Sequence, residues 1–379
     1  MPSWPVPAVS AAERVAEAHR KAVGVPTAVA AAPATYSLIG EHIDHYGGVV
    51  LMGLASLRAA VAYSPRADTR IRVSVHRPGG EVRREETSVA EVSRRGVEQQ
   101  PGVDDYGRPT IPPLPAGGIA ARLGGLAWTL IHRQLLSRDT TGLDITVVND
   151  IPHGVGLGAG AAVDAALVLA LQAGDADLAE APVRTRLAEI CFQSNEMFSA
   201  VPPLRARYTA ALRGSGNTVS VIDYSDGSLT QAPHPVDEQH RAFLVGLPEH
   251  RQPDQAAGID LVRRHRTFLD DACRAFGADS LRRLPDAVHR VLDWLQAVHQ
   301  VRGPEGSPTV TEALGWLQFI ETETHRAQLT AQALCSRRGP EIGSLLTESQ
   351  AQLRPLLGVD AGDELVQLCS VRGAVAARA

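Results

Sequence analysis

The sequence predicts an α+β fold in two domains, a mixed N-terminal α/β domain and a helix-rich C-terminal domain. Three observations carry this. At 379 residues the chain exceeds what one small core holds. Its first half mixes strand-like and helix-like patterns, and a strand, a glycine-rich turn and a long small-residue helix follow one another near its middle. From about Gln255 onward helical spacing dominates. The boundary is expected between 205 and 235, giving domains 1–205 and 206–379.

In chain order, AAERVAEAHRKAV (11–23) reads as an amphipathic helix. TAVAAAP and VVLMGLASLRAAVAYSP are apolar runs of strand or mixed character, and RIRVSVHR alternates with a strand's period of two. Residues 76–117 are polar and rich in Gly and Pro, so they read as loop with at most one short strand. GGIAARLGGLAWTLIHRQLL returns to helical spacing. GLDITVVND is a strand, IPHGVGLGAGAA the glycine turn, and AAVDAALVLALQAG its helix. TVSVIDYSDGSL reads as strand and turn, and the helices DLVRRHRTFLDDACRAFG, DAVHRVLDWLQAVHQV and ALGWLQFIETETHRAQLTAQALC complete the chain. No internal repeat is visible.

Composition excludes several functions. Charged residues make up 21% and the net charge is only -5, without a basic patch suited to nucleic acid. Lys21 is the only lysine, which removes any mechanism needing a catalytic lysine in the core. Cys191, Cys273, Cys335 and Cys369 form no CxxC pair, so reduced thiols and a cytoplasmic location are expected rather than a disulfide framework or zinc knuckle. No signal core or membrane-length apolar run occurs, so no membrane partner is expected.

Two stretches carry chemistry. In PATYSLIGEHIDHYGGVVL (33–51), Glu41, His42 and Asp44 fall within four positions between Gly40 and the pair Gly47–Gly48. Such a cluster suits a solvated turn, a metal site or a pocket for a polar ligand. Vicinal hydroxyls are well served by two carboxylates and an imidazole, which accept or donate short directional bonds. No further ligand at metal spacing stands out, and no metal site is expected. In IPHGVGLGAGAA (151–162), glycines let a ligand approach the backbone, and the following helix offers unpaired N–H groups with partial positive charge. Close helix–strand packing is the competing explanation. The turn lacks the GK[ST] of a P-loop and does not form a GxGxxG fingerprint.

Together the two stretches resemble the GHMP sugar kinases, and most closely the galactokinases. The family's first signature runs roughly A-P-G-R-x-N-L-I-G-E-H-x-D-Y-x-G-G-x-V-L. Ala32, Pro33, Leu38, Ile39, Gly40, Glu41, His42, Asp44, Gly47, Gly48, Val50 and Leu51 match it without a gap. The second, I-P-x-G-x-G-L-S-S-S-A-A, matches at Ile151, Pro152, Gly154, Gly156, Leu157, Ala161 and Ala162. Weaker similarity continues through SNEMF, VIDY, CRAFGADSL and DELVQL. The resemblance implies the two-domain GHMP kinase fold and ATP-dependent phosphorylation of galactose at its anomeric hydroxyl, with Mg²⁺. It assigns the sugar to Glu41, His42 and Asp44. The nucleotide phosphates fall to Gly154, Gly156, Leu157, Gly158, Ala159, Gly160 and Ala161.

The departures fall on the chemistry. An ungapped alignment from Phe198 to Asp223 puts Arg207 where the family has its catalytic Asp, and Thr35 stands in place of the signature's Arg. A guanidinium accepts no proton at usable pH, and losing a positioned base costs roughly 10²- to 10⁴-fold. Ser37 replaces the signature's Asn. Gly158, Ala159 and Gly160 replace three serines, which removes hydroxyls that approach phosphates and Mg²⁺ while keeping backbone amides. Ile119 and Arg122 align with the family's adenine-side Trp and Tyr. The chain stops at GAVAARA, where the third, glycine-rich signature is expected, so the C-terminal domain reads as truncated. Asp164, early in the helix, is expected to favour the helix dipole, His153 to be a solvated loop side chain, and Arg263, Arg264, His265 and Arg266 to form a solvated face. With no catalytic position intact, weak or absent turnover is the expectation. The alternative is a catalytically silent sensor of sugar or nucleotide.

Overall fold

The computed structural model describes residues 7–77, 80–100, 102–103, 109–110, 112–236, 241–246, 256–358 and 362–379. Parts of the polar stretch read as loop (78–79, 101, 104–108 and 111) lie outside the described residues. Contacts divide the chain into two units, Met1–Tyr36 with Leu54–Gly214, and Ser37–Gly53 with Ser215–Ala379. The excursion at 37–53 is the part no linear boundary captures: Ile39, Val49 and Leu51 are buried with Val219, Ala232 and Leu334 of the second unit.

In the first unit, α1 (Ala11–Ala22) starts at a capping box between Ser10 and Glu13. Strands β1 (Ala28–Ile39) and β2 (Val49–Arg66) follow, each with one end in the second unit. β3 (Arg70–His76) and β4 (Val82–Ser88) form a hairpin. Next come α2 (Val89–Glu98), the two-residue strands β5 (Gly102–Val103) and β6 (Pro109–Thr110), α3 (Ile119–His132) and β7 (Gly142–Asn149). Helices α4 (Ala159–Leu171), α5 (Ala181–Phe198) and α6 (Arg205–Arg213) complete the unit. β7 runs antiparallel to β2, with Ala59 opposite Asn149, and parallel to β3, with Ile71 opposite Leu143.

The strand period of two divides β2 between two faces. Ala59 and Val61 join Leu123, Leu126, Val147, Ala165 and Leu167 in the large core. Ala60 and Ala62 pack with Val15 of α1 instead. Strand β4 lies in the stretch that the sequence reads as loop with one short strand, and helix α2 in the same stretch was not expected. β4 carries charge along its length because it has a ladder partner on one side alone. α2 starts at a cap, Ser88 Oγ accepting from the Glu91 N–H at 3.2 Å.

The second unit holds β8 (Thr218–Asp223) and β9 (Ser228–Pro233), then α7 (Ala256–Phe276), α8 (Ala287–Arg302), α9 (Val310–Cys335), α10 (Gly339–Gln352) and α11 (Asp363–Val371). β8 pairs with the start of β2, Val49 opposite Asp223. Phe268, Leu269, Leu295 and Trp316 form a core that also takes in Tyr46. The run 263–266 is only partly a solvated face, because His265 and Arg266 are 4% and 9% exposed. His265 packs on Trp316, and its burial pushes the imidazole pKa down to about 3.

Candidate functional site

In the first unit the glycine turn leads from β7 into α4. Gly154, Gly156 and Gly158 all have positive φ, and Gly158 is the left-handed N-cap of α4. The turn is tied to β1 by the Thr35 N–H, which donates to the Leu157 carbonyl at 3.1 Å. Arg207 on α6 donates from Nη1 to the Thr35 carbonyl at 2.8 Å and to Thr35 Oγ1 at 3.3 Å. A Cβ at Gly158 would lie 2.5 Å from Thr35 Oγ1 and 3.1 Å from Arg207 Nη1. Thr35 and Arg207 are therefore in contact, and both lie against Gly158.

Asp164 does not act as an exposed dipole partner. It is fully buried and ion-paired with Arg122 of α3 at 2.8 Å, with Asn195 donating at 3.0 Å and Tyr208 at 3.4 Å. Burial pushes its carboxyl pKa up against the opposing pull of Arg122 and these donors. The other acid beside the turn, Asp150, is paired with Arg14. Arg122 Nη1 also stands 3.0 Å from where a Cβ on Gly160 would be. A cavity of about 320 Å³ opens here, between β3, β4, α3 and the start of α4. Its wall includes Arg77, Arg83 and Arg122 with apolar Val75, Ile119 and Phe198, and the three arginines are paired with Glu81, Glu85 and Asp164. His153 is exposed, as a solvated loop side chain should be, and touches the same cavity.

Residues present fit Mg²⁺ poorly. Gly158, Ala159 and Gly160 have no hydroxyl, and the nearby carboxylates are both held by arginines. Among the described residues no three His, Cys, Asp or Glu side chains gather as a metal-binding group. Mg²⁺ ordinarily takes one or two protein carboxylates beside substrate phosphates.

In the second unit the cluster Glu41, His42 and Asp44 occupies the turn after β1. Gly40, at φ +89°, has the Val49 carbonyl 2.5 Å from where a Cβ would be, so no other residue fits the turn. The turn is not solvated. Asp44 is 1% exposed, and it accepts the His45 N–H at 3.0 Å. Glu41 Oε2 accepts from Ser37 Oγ at 3.0 Å and from Arg378 Nη1 at 2.7 Å. Arg378 continues to Glu323 Oε1 at 3.1 Å and to Ser349 Oγ at 2.8 Å. Glu323 also accepts from the Gly40 N–H, Ser349 and Arg326. Burial alone would raise the Glu41 pKa, but the charges of Arg378 and His42 outweigh it and hold the carboxyl at about 2. Burial pushes His42 down, with its Nε2 3.8 Å from Glu41 Oε1.

The sequence reading missed Arg378 and Glu323. Neither belongs to a motif: one sits in an Ala-rich tail and the other in the middle of α9. The signal for Arg122 was present, as an arginine aligned with an aromatic position, but not its pairing with Asp164.

Residues 17–65 match the galactokinase galactose-binding signature, and residues 123–200 match the GHMP kinases N terminal domain. The galactokinase of Canis lupus familiaris is 26% identical over 349 residues, covering 91% of this chain and 78% of its own. That of Streptomyces coelicolor is 25% identical over 370 residues, covering 96% and 84%. These matches support a divergent galactokinase within the GHMP superfamily. Its fold agrees. The Lactococcus lactis galactokinase solved with galactose superposes with a TM-score of 0.64 at 16% identity, over 97% of this chain and 87% of that one. The similarity to galactokinases supports a sugar-kinase function. Among the described residues no helix is long and apolar enough to cross a membrane.

Proposed function

We propose that the chain binds a galactose-like sugar through Glu41, His42 and Asp44 and a nucleotide at the glycine turn, and transfers the phosphoryl group weakly or not at all. The observation that carries this is Arg207. An ungapped alignment puts it where the family has its catalytic Asp, and it is hydrogen-bonded to Thr35 beside Gly158. Phosphoryl transfer to a sugar hydroxyl needs the hydroxyl proton removed and the phosphoryl charge stabilised. A guanidinium serves the second need and not the first. The ligands are small molecules met in a cytoplasm. The alternative function, a silent sensor, draws support from the buried and already ionised Glu41, a group poised to bind rather than to react.

The test is purified protein with Mg·ATP and galactose, read by direct detection of sugar 1-phosphate over a long incubation, alongside calorimetry with galactose. Galactose binding that disappears in Asp44→Ala, with turnover orders of magnitude below a working galactokinase, is the expected result. Turnover comparable with that control would overturn the proposal.

A further inference from the structure

We propose that Arg282 and Ser280 are positioning residues for the sugar site, holding the backbone arm that carries Asp44 separately from the Arg378–Glu323 network that holds Glu41. This rests on the sugar-site reading above and deepens it.

The turn between β1 and β2 has two arms. The incoming arm carries Glu41 and is fixed by the Gly40 N–H on Glu323 and by the Arg378 guanidinium on Glu41. The outgoing arm carries Asp44 at the head of a single 3₁₀ turn, Asp44–Tyr46, which runs into Gly47 at φ +78°. Inside it the Ile43 carbonyl accepts the Tyr46 and Gly48 N–H groups, which sets the shape of the turn but not its place. Its place comes from the segment after α7. Ser280 Oγ donates to the Tyr46 carbonyl at 2.8 Å, and Arg282 Nη1 donates to the Gly47 carbonyl at 3.0 Å. A Cβ on Gly47 would collide with Ser280 Oγ, so the two segments approach as closely as a glycine permits.

Both donors are themselves held. Ser280 Oγ accepts the Arg282 N–H at 3.2 Å at the start of the 3₁₀ turn Leu281–Arg283, and Leu281 is buried with Tyr46 and Phe268. Arg282 Nη1 carries two hydrogens, one for the Gly47 carbonyl and one for Asp223 at the end of β8. Asp223 Oδ1 also accepts the Ser225 N–H and hydroxyl, and the Tyr224 N–H returns to the Gly48 carbonyl at 3.1 Å. The charge of Arg282 is met by Asp223, so what it gives the turn is direction. Asp44 is 1% exposed and stands two residues before the Tyr46 carbonyl. A shift of the outgoing arm therefore moves its carboxylate, and an oriented contact is lost when its group moves by about 1 Å.

The experiment is calorimetric titration of the full chain with galactose and with a panel of monodeoxygalactoses. The variants are Arg282→Met, Arg282→Lys, Ser280→Ala and Arg283→Met. Arg283 is the control, because it neighbours Arg282 but donates to the Ser225 carbonyl instead of to the turn. Arg282→Met should weaken galactose about tenfold and Ser280→Ala about threefold. Arg282→Lys should recover part of the loss, and Arg283→Met should leave the affinity unchanged. The deoxy sugars separate positioning from general loosening, since removing a hydroxyl and removing its positioning residue do not add. One of them, the sugar without the hydroxyl that Asp44 holds, should bind the native protein and Arg282→Met equally, and against Arg378→Met a different sugar should be the indifferent one. A uniform loss across the panel would overturn the inference, as would galactose affinity untouched by Arg282→Met and Ser280→Ala in a protein that still needs Asp44. Should Arg282→Met fail to fold, Ser280→Ala runs against the same panel. Galactose that does not bind the native protein would remove the sugar-site reading, and this inference with it.

Discussion

Replacing Arg378 by methionine is the sharpest test of the electrostatics in the second unit. Arg378 is 5% exposed at its side chain and lies between Glu41 (12%) and Glu323 (0%). Methionine keeps much of the stem's volume and removes the charge. The Glu41 carboxyl sits at about 2 against an ordinary 4.5, and a difference of that size corresponds to about 3 kcal/mol at neutral pH. Removing one partner of a buried ion pair independently suggests about 3–5 kcal/mol. The variant should therefore lose about 3 kcal/mol or more at pH 7. In the native protein Glu41's stabilisation is complete above pH 4.5 and is lost as pH falls through about 2. In the variant, burial without the cation pushes the carboxyl above 4.5, so the folded state gains relative to the unfolded one as acid protonates it. The gap should then narrow steadily, to about 1 kcal/mol near pH 3. Urea unfolding followed by tryptophan fluorescence measures it, since Trp294 and Trp316 both belong to this unit. The double variant Glu41→Gln, Arg378→Met should recover most of the loss, because Glu323 keeps Arg326, Ser349 and the Gly40 N–H. A gap that stays constant from pH 7 to pH 4, or one below about 1 kcal/mol at pH 7, would refute the reasoning.

Two further outcomes test the first unit. Gly158→Ala places a Cβ 2.5 Å from Thr35 Oγ1 at φ +64°, whereas Gly156→Ala at φ +72° meets no atom within 4 Å. The first should cost about 2 kcal/mol or more and the second about 1 kcal/mol, the backbone strain alone, as read from denaturation midpoints. Cys191 is buried, with its thiol pKa raised by burial and the nearby Asp164, while Cys335 is exposed. A thiol-specific chromogenic reagent should label Cys335 within minutes and Cys191 only after denaturant is added. Early labelling of Cys191 would show that the α4–α5 packing opens readily.

What the sequence discloses follows the range of the physics involved. The glycine turn and the Glu41–Asp44 cluster were legible because their constraints are local. Gly40 and Gly158 need positive φ or a missing side chain where they stand. Helix α1 announced itself through its amphipathic pattern, while its capping box of Ser10 and Glu13 went unread. Strand β4 was allowed for only as one unplaced short strand and helix α2 was hidden, since an edge strand of charged residues and a short helix ahead of a proline-rich run look like loop until their neighbours are in place. His265 and Arg266 were read as solvated from charge alone, although burial depends on what α7 packs against. Arg378 meets Glu41 across 337 positions of sequence, a contact that no local pattern records.

That contact raises the question whether Arg378 occupies the sugar's place or prepares it. Geometry favours preparation. Arg378 and Ser37 both engage Oε2 of Glu41, while His42 lies 3.8 Å from Oε1. An ionised carboxylate has about four acceptor positions, so a sugar hydroxyl can donate to Oε1 with the Arg378 pair intact. Arg378 would then be a positioning residue, keeping Glu41 charged and its plane fixed at every pH where the protein is folded. On that reasoning Arg378→Met weakens galactose about tenfold, the worth of one well-oriented charge-assisted bond, and the loss deepens as pH falls from 7 to 5, because the raised Glu41 carboxyl of the variant takes up a proton. Arg378→Lys, which retains the charge, should restore part of the affinity and flatten the pH profile. Tighter galactose binding by Arg378→Met would mean the opposite, that the guanidinium stands where the sugar must go and is displaced when it binds.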